Sequence, residues 1–276
     1  MPKFFSIKMV PSFITMGNVC CGFLAIAFIA EGHLATGAWC IFFGMIFDVL
    51  DGKVARLTNG SSDFGMQLDS LADMISFGLA PAFLAKVFLT DAALGLPAAI
   101  VWVAAALFLL CAASRLARFN VTTNHDESSH MYFQGLATPA AAGVVASLVL
   151  LSHFAAMVMP IAYYKVAVLL LTFLLAFFMV SSIRYRHMGV LLLKKSKVIV
   201  KVIALALFVT VVAIEPQVFV VTIAAAFISY AFAAPTKNLC KLLFTSSVEQ
   251  AAQLEELSGT AVLDDLSGNG IQPHSM

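Results

Sequence analysis

Eight apolar runs constrain this 276-residue chain more than any other feature; they lie near 13–30, 35–52, 64–89, 96–114, 136–153, 160–180, 198–214 and 217–233. A bilayer's hydrocarbon core takes roughly 20 helical residues to cross. Inside it, every backbone N–H and C=O must be satisfied within the protein, so runs of this length cross as helices. With 61% of residues hydrophobic and 11% charged, the composition lies outside the range of a soluble domain of this size. The expected fold is therefore all-α, a polytopic integral membrane helical bundle of about eight transmembrane helices. A short interfacial helix is expected ahead of it in residues 1–12, where Lys3 and Lys8 are interspersed with Phe4, Phe5 and Ile7. Residues 1–244 form the expected membrane domain, and residues 245–276, polar and acidic, a disordered cytoplasmic tail.

Charge gives the orientation, because Lys and Arg are retained on the cytoplasmic side. With eight spans, 14 of the 16 basic residues fall on one face, among them Lys53, Arg56, Arg115, Arg118, Arg184 and Lys241. Both termini are expected on that cytoplasmic face. The net charge of +1 carries no information about partners, and nothing in it points to nucleic acid. The five cysteines sit in or beside apolar runs without ligand spacing, and the six histidines are scattered. Zinc chemistry thus has no support.

Against this apolar background one segment is rich in carboxylates: Asp48 to Asp73, reading DVLDGKVARLTNGSSDFGMQLDSLAD. Asp48 and Asp51, and likewise Asp69 and Asp73, are spaced to share one helix face. The Asn59-Gly60-Ser61-Ser62 turn between them folds the pairs toward each other, giving a four-carboxylate cage near the cytoplasmic surface. Bare like charges a few ångströms apart in a poorly solvated setting are costly, so a cage of this kind calls for cations. Oxygen-only ligands select hard divalent ions: Mg²⁺, Mn²⁺ or Ca²⁺. Acidic residues bordering a span are functional hypotheses by default. A hairpin merely solvated by carboxylates is the plainer alternative, and the many-position pattern argues against it.

That pattern, Asp48-x2-Asp51-Gly52-x2-Ala55-Arg56-x8-Gly65-x3-Asp69-x3-Asp73, resembles the signature of the CDP-alcohol phosphotransferases at every fixed position. The resemblance implies a pair of divalent ions held by Asp48, Asp51 and Asp69. It implies that Asp73 borders the second metal and acts as general base. It also implies that Gly52, Ala55, Arg56 and Gly65 line the CDP-lipid site, with small residues admitting the nucleotide and Arg56 pairing with a phosphate.

Further stretches resemble the phosphatidylserine synthase branch: Asp69 to Ala82 (DSLADMISFGLAPA), Ser114 to Asn120 (SRLARFN), Phe133-x-Gly135-Leu136-Ala137-x-Pro139, and Met179 to Tyr185 (MVSSIRY). Pro11-Ser12 stands where that branch usually has Pro-Asn, and Ala137 where it usually has proline. What this implies is transfer of phosphatidyl from CDP-diacylglycerol to L-serine in a homodimeric membrane enzyme. Serine carries a carboxylate and an ammonium, so its pocket needs a cation and an acceptor; Arg115, Arg118 and Asn120, expected just past the fourth span, are the candidates. The same donor with glycerol 3-phosphate, an inositol phosphate or choline as acceptor is the nearest alternative. A divalent-cation transporter is the alternative of another class; it calls for midplane aspartates between inverted repeats, which the sequence does not offer.

Overall fold

The computed structural model describes residues 10–58, 63–90, 97–123, 132–186 and 220–236. Its helices are α1 (Val10–Ala30), α2 (Leu34–Leu57), α3 (Asp63–Asp73), α4 (Ala80–Leu89), α5 (Ala98–Thr123), α6 (Thr138–Val158), α7 (Ile161–Val180) and α8 (Val220–Thr236). A π-helical stretch, Met74–Leu79, joins α3 to α4, so Phe64–Leu89 crosses as one span. Among the described residues, six helices are long and apolar enough to cross a membrane, and they coincide with the first six expected runs. The α8 helix falls on the eighth run and is apolar but shorter. The seventh run, the expected interfacial residues before Val10, the turn at 59–62 and the tail, with its expected boundary at 244/245, lie outside the described residues. The chain divides into two compact units, Met1–Phe232 and Ala233–Met276, and the site lies in the first.

Local chemistry sets the helix ends. After Ala30, Gly32 takes a positive φ of 88°, His33 N–H donates to Phe28 O at 2.8 Å and Gly32 N–H to Ile29 O at 3.1 Å. This is the Schellman arrangement, in which a left-handed residue closes the last carbonyls of a helix. It turns the chain tightly enough for α1 to pack along α2. Pro160 ends α6 and opens α7 in the same short space.

The π-helical stretch has a visible cause in Pro81. Proline brings no N–H, and in an α-helix its ring would meet the carbonyl of Phe77, four residues earlier. A widened turn relieves that crowding and moves later side chains around the axis.

The core is α6, buried continuously from Ala140 to Val149 and packed against α2, α4 and α7. Its small side chains let neighbours come close, as bilayer-embedded helices require; at Gly143 the ring of Phe227 fills the space a Cβ would take. The departure from helix among the described residues is an antiparallel ribbon, β1 (Tyr132–Gln134) with β2 (Arg184–Arg186), Phe133 opposite Tyr185. Gly135 follows it at φ 82°, its N–H on Ile183 O at 2.8 Å. A Cβ there would collide with the carbonyl of Met179, so the ribbon seats on the end of α7 only with glycine.

Candidate active site

The helix spacing brings Asp48 and Asp51, near the end of α2, against Asp69 on α3. One carboxylate oxygen from each lies within 4.8 Å of the other two. Three oxygens around one hard cation at about 2.0–2.6 Å would stand roughly 3–5 Å apart, so the set fits a single ion. Buried Asp51 Oδ2 and Asp69 Oδ1 have no hydrogen-bond partner among the described residues. Unpaired carboxylate oxygens out of water are costly unless something binds them. The donor set, its spacing and its orphaned atoms all fit a divalent cation. On the other side, the Thr15 hydroxyl of α1 lies against both Asp51 and, at 3.0 Å, Pro11 O, so its one proton serves one of them at a time.

The fourth carboxylate is set apart. Asp73, one turn beyond Asp69, does not join the convergent trio; its Oδ1 accepts from Asn18 Nδ2 of α1 at 3.4 Å. It remains within electrostatic reach of Asp48 and Asp69, and of Arg115 from α5. Of the four carboxylates expected to form a cage, three converge and the fourth is held by a neighbouring helix.

Arg115 and Arg118 were expected beyond the fourth span and instead lie inside it, because α5 continues to Thr123. Leu116 is buried, and the apolar pattern continues through Phe119 and Val121. The two arginines diverge. Arg115 donates Nη1 to the buried Thr138 hydroxyl at 2.7 Å, while its Nε is buried without a partner among the described residues. Arg118 Nη1 bonds Val180 O at 3.3 Å, and its Nη2 lies 3.1 Å from where a Cβ on Gly135 would be. Asn120, also expected to touch the acceptor, exchanges hydrogen bonds with Ser70 at 3.1 and 2.9 Å, fastening α5 to α3 beside Asp69.

Gly52 is exposed, with nothing within 4 Å of a hypothetical Cβ, so that face of α2 is open. Ala55 and Gly65 are half-buried nearby in sequence, and the side chain of Arg56 lies outside the described residues. Thr138 and Ser76 are site-bordering residues that sequence reasoning did not single out. Hydroxyls in apolar helices are common, and Thr138 lies 23 positions from the arginine it meets.

A bundle of membrane helices carrying three convergent aspartates at one end, spaced to fit a divalent cation, defines a class of polytopic membrane protein with a candidate metal centre. The profile of the CDP-alcohol phosphatidyltransferases matches residues 8–177, and the chain belongs to that family. A Helicobacter pylori protein named CDP-diacylglycerol–serine O-phosphatidyltransferase is 37% identical over 145 residues, 52% of this chain and 58% of its own length. Proteins of the same name match from Saccharomyces cerevisiae, at 39% over 48% of this chain and 50% of theirs, and from Bacillus subtilis, at 34% over 64% and 90%. The chain therefore spans only half to three-fifths of the Helicobacter and yeast relatives and nearly all of the Bacillus one.

Proposed function

We propose that this integral membrane protein transfers the phosphatidyl group from CDP-diacylglycerol to L-serine, yielding phosphatidylserine and CMP. The observation that carries the reading is the convergence of Asp48, Asp51 and Asp69, with two buried oxygens left unpaired, in a chain of this family. The names of the relatives support serine as acceptor.

In this reading Asp48, Asp51 and Asp69 hold divalent cations, Mg²⁺ or Mn²⁺ with Ca²⁺ the alternative, as a pair with Asp73 bordering the second. When bound, such ions neutralise the pyrophosphate and stabilise charge on the leaving CMP. Gly52, Ala55 and Gly65 keep the nucleotide's approach clear, and Arg56 pairs with a phosphate. Arg115 takes the serine carboxylate on its unpaired Nε. Asp73 accepts the serine hydroxyl proton as that oxygen attacks the phosphatidyl phosphorus. The bond from phosphorus to the CMP oxygen breaks, and CMP leaves with the electron pair. A carboxylate is a weak base, so close positioning of the hydroxyl compensates. The site opens on the cytoplasmic face with both termini there, and the enzyme is a homodimer.

CMP release by purified protein from CDP-diacylglycerol, with and without L-serine and across Mg²⁺, Mn²⁺ and Ca²⁺, tests the reading. Serine-dependent release is expected. Release driven instead by glycerol 3-phosphate, an inositol phosphate or choline would move the acceptor. No CMP with any of them would overturn the transfer.

A further inference from the structure

Asn18 is fully buried in the middle of α1, with 0% of its surface exposed, and three other segments enclose it. Its Nδ2 donates to Asp73 Oδ1. A carboxylate can only accept, so the amide nitrogen is the atom that faces it. The backbone carbonyl of Asn18 accepts from the buried Ser76 hydroxyl at 2.8 Å. Asn18 is thus gripped at side chain and main chain by Asp73 and Ser76, the residues on either side of the junction between α3 and the π-helical stretch.

Two glycines make room for this. On α2, a Cβ at Gly44 would come within 2.9 Å of Asn18 Oδ1. On α1, one turn beyond Asn18, a Cβ at Gly22 would collide with Ser76 Oγ. Gly44 is itself one turn before Asp48, so the notch that seats Asn18 is built on the helix that supplies the first metal ligand. Asn18 Oδ1, wedged against Gly44, is buried without a partner among the described residues, a cost the fold carries while the N–H stays aimed at Asp73.

We infer that Asn18 is the positioning residue for Asp73: its amide N–H holds one carboxylate oxygen and leaves the other for the acceptor hydroxyl. The inference rests on the proposed role of Asp73 as base and adds what aims it. Without Asn18 the carboxylate loses its fixed rotamer and its alignment with the hydroxyl, and misplacement by about 1 Å is enough to cost on the order of 10²-fold in rate.

The test uses the purified full chain with Asn18→Leu, which keeps the volume and removes the N–H, and Gly44→Ala, which keeps the N–H and displaces it. The Leu variant is expected to lose about 10- to 100-fold in kcat, with less than about twofold change in KM for CDP-diacylglycerol and in the half-activating Mn²⁺ concentration. Gly44→Ala is expected to lose several-fold in kcat with the same split. Asn18→Asp, isosteric but turning a carboxylate on Asp73, is expected to be the worst of the three. A Leu variant with wild-type kcat, or one in which kcat, donor KM and thermal stability all fall together while Gly44→Ala behaves as wild type, overturns the inference. Asp73→Asn tested alongside separates the layers. Wild-type turnover there removes the base itself; loss there with full activity in Asn18→Leu removes only the positioning.

Discussion

The two ends of this bundle treat polar groups in opposite ways. At the end where α4 finishes and α5 and α7 begin, Lys86 Nζ lies 4.8 Å from the Trp102 ring centre and Lys165 Nζ 5.3 Å from that of Phe88. Tyr164 donates its hydroxyl to Leu148 O at 2.6 Å. Charges there rest on aromatic faces, as suits a membrane edge. Thirteen residues along α5 from Trp102, about 20 Å at 1.5 Å per residue, Arg115 belongs to the other end. There, among the described residues, are all the buried side-chain atoms without a partner: Asn18 Oδ1, Asp51 Oδ2, Asp69 Oδ1 and Arg115 Nε. A protein in a bilayer pays heavily for an unsatisfied polar atom, so the contrast sets satisfied groups at one end against a cluster of unsatisfied ones at the other, which we read as the place for ions and substrate.

That contrast can be broken most decisively at the trio. Asp69→Ala removes one of three convergent oxygens and is expected to lower kcat/KM by on the order of 10³-fold or more, with a matching loss of divalent-cation dependence. Normal metal dependence in the purified variant would show that the orphaned oxygens do not face an ion. Next in size is Asp73→Asn, which keeps shape and removes the carboxylate that we propose accepts the proton. Its kcat is expected to fall by about 10²-fold while metal and CDP-diacylglycerol still bind.

The arginines sharpen the contrast within one end. Arg115→Gln is expected to raise KM for serine by about 2 kcal/mol, roughly 30-fold, because the proposed charge-assisted contact would be lost. Arg118→Gln, which loosens the clasp on Val180 O, is expected to leave serine KM within about twofold and to lower thermal stability instead. Equal serine KM effects from both would erase the distinction their partners draw. The smallest effect is expected at the opposite end: Tyr164→Phe removes a satisfied hydrogen bond, and is expected to cost about 1 kcal/mol in unfolding assays with kcat unchanged. A loss of turnover there would mean that the two ends are coupled.

Much of this was decided by the sequence alone. Span positions follow from apolar runs because a bilayer allows backbone no alternative to helix, and the first six runs fall on the six described helices long and apolar enough to cross a membrane. The aspartates were legible because spacing of three and four puts side chains on one face whatever the tertiary context. The resemblance already gave Asp73 a role apart from the other three; only the packed structure supplied its partner, since Asn18 is 55 residues away and nothing local marks the pair. It was packing, too, that carried Arg115 and Arg118 inside α5, where hydropathy reads a charge as the end of a span. The difference between those two arginines lies in Thr138 and Val180, which arrive from α6 and α7. Periodicity along one chain reports which face a residue occupies; what stands opposite that face is settled when the helices meet.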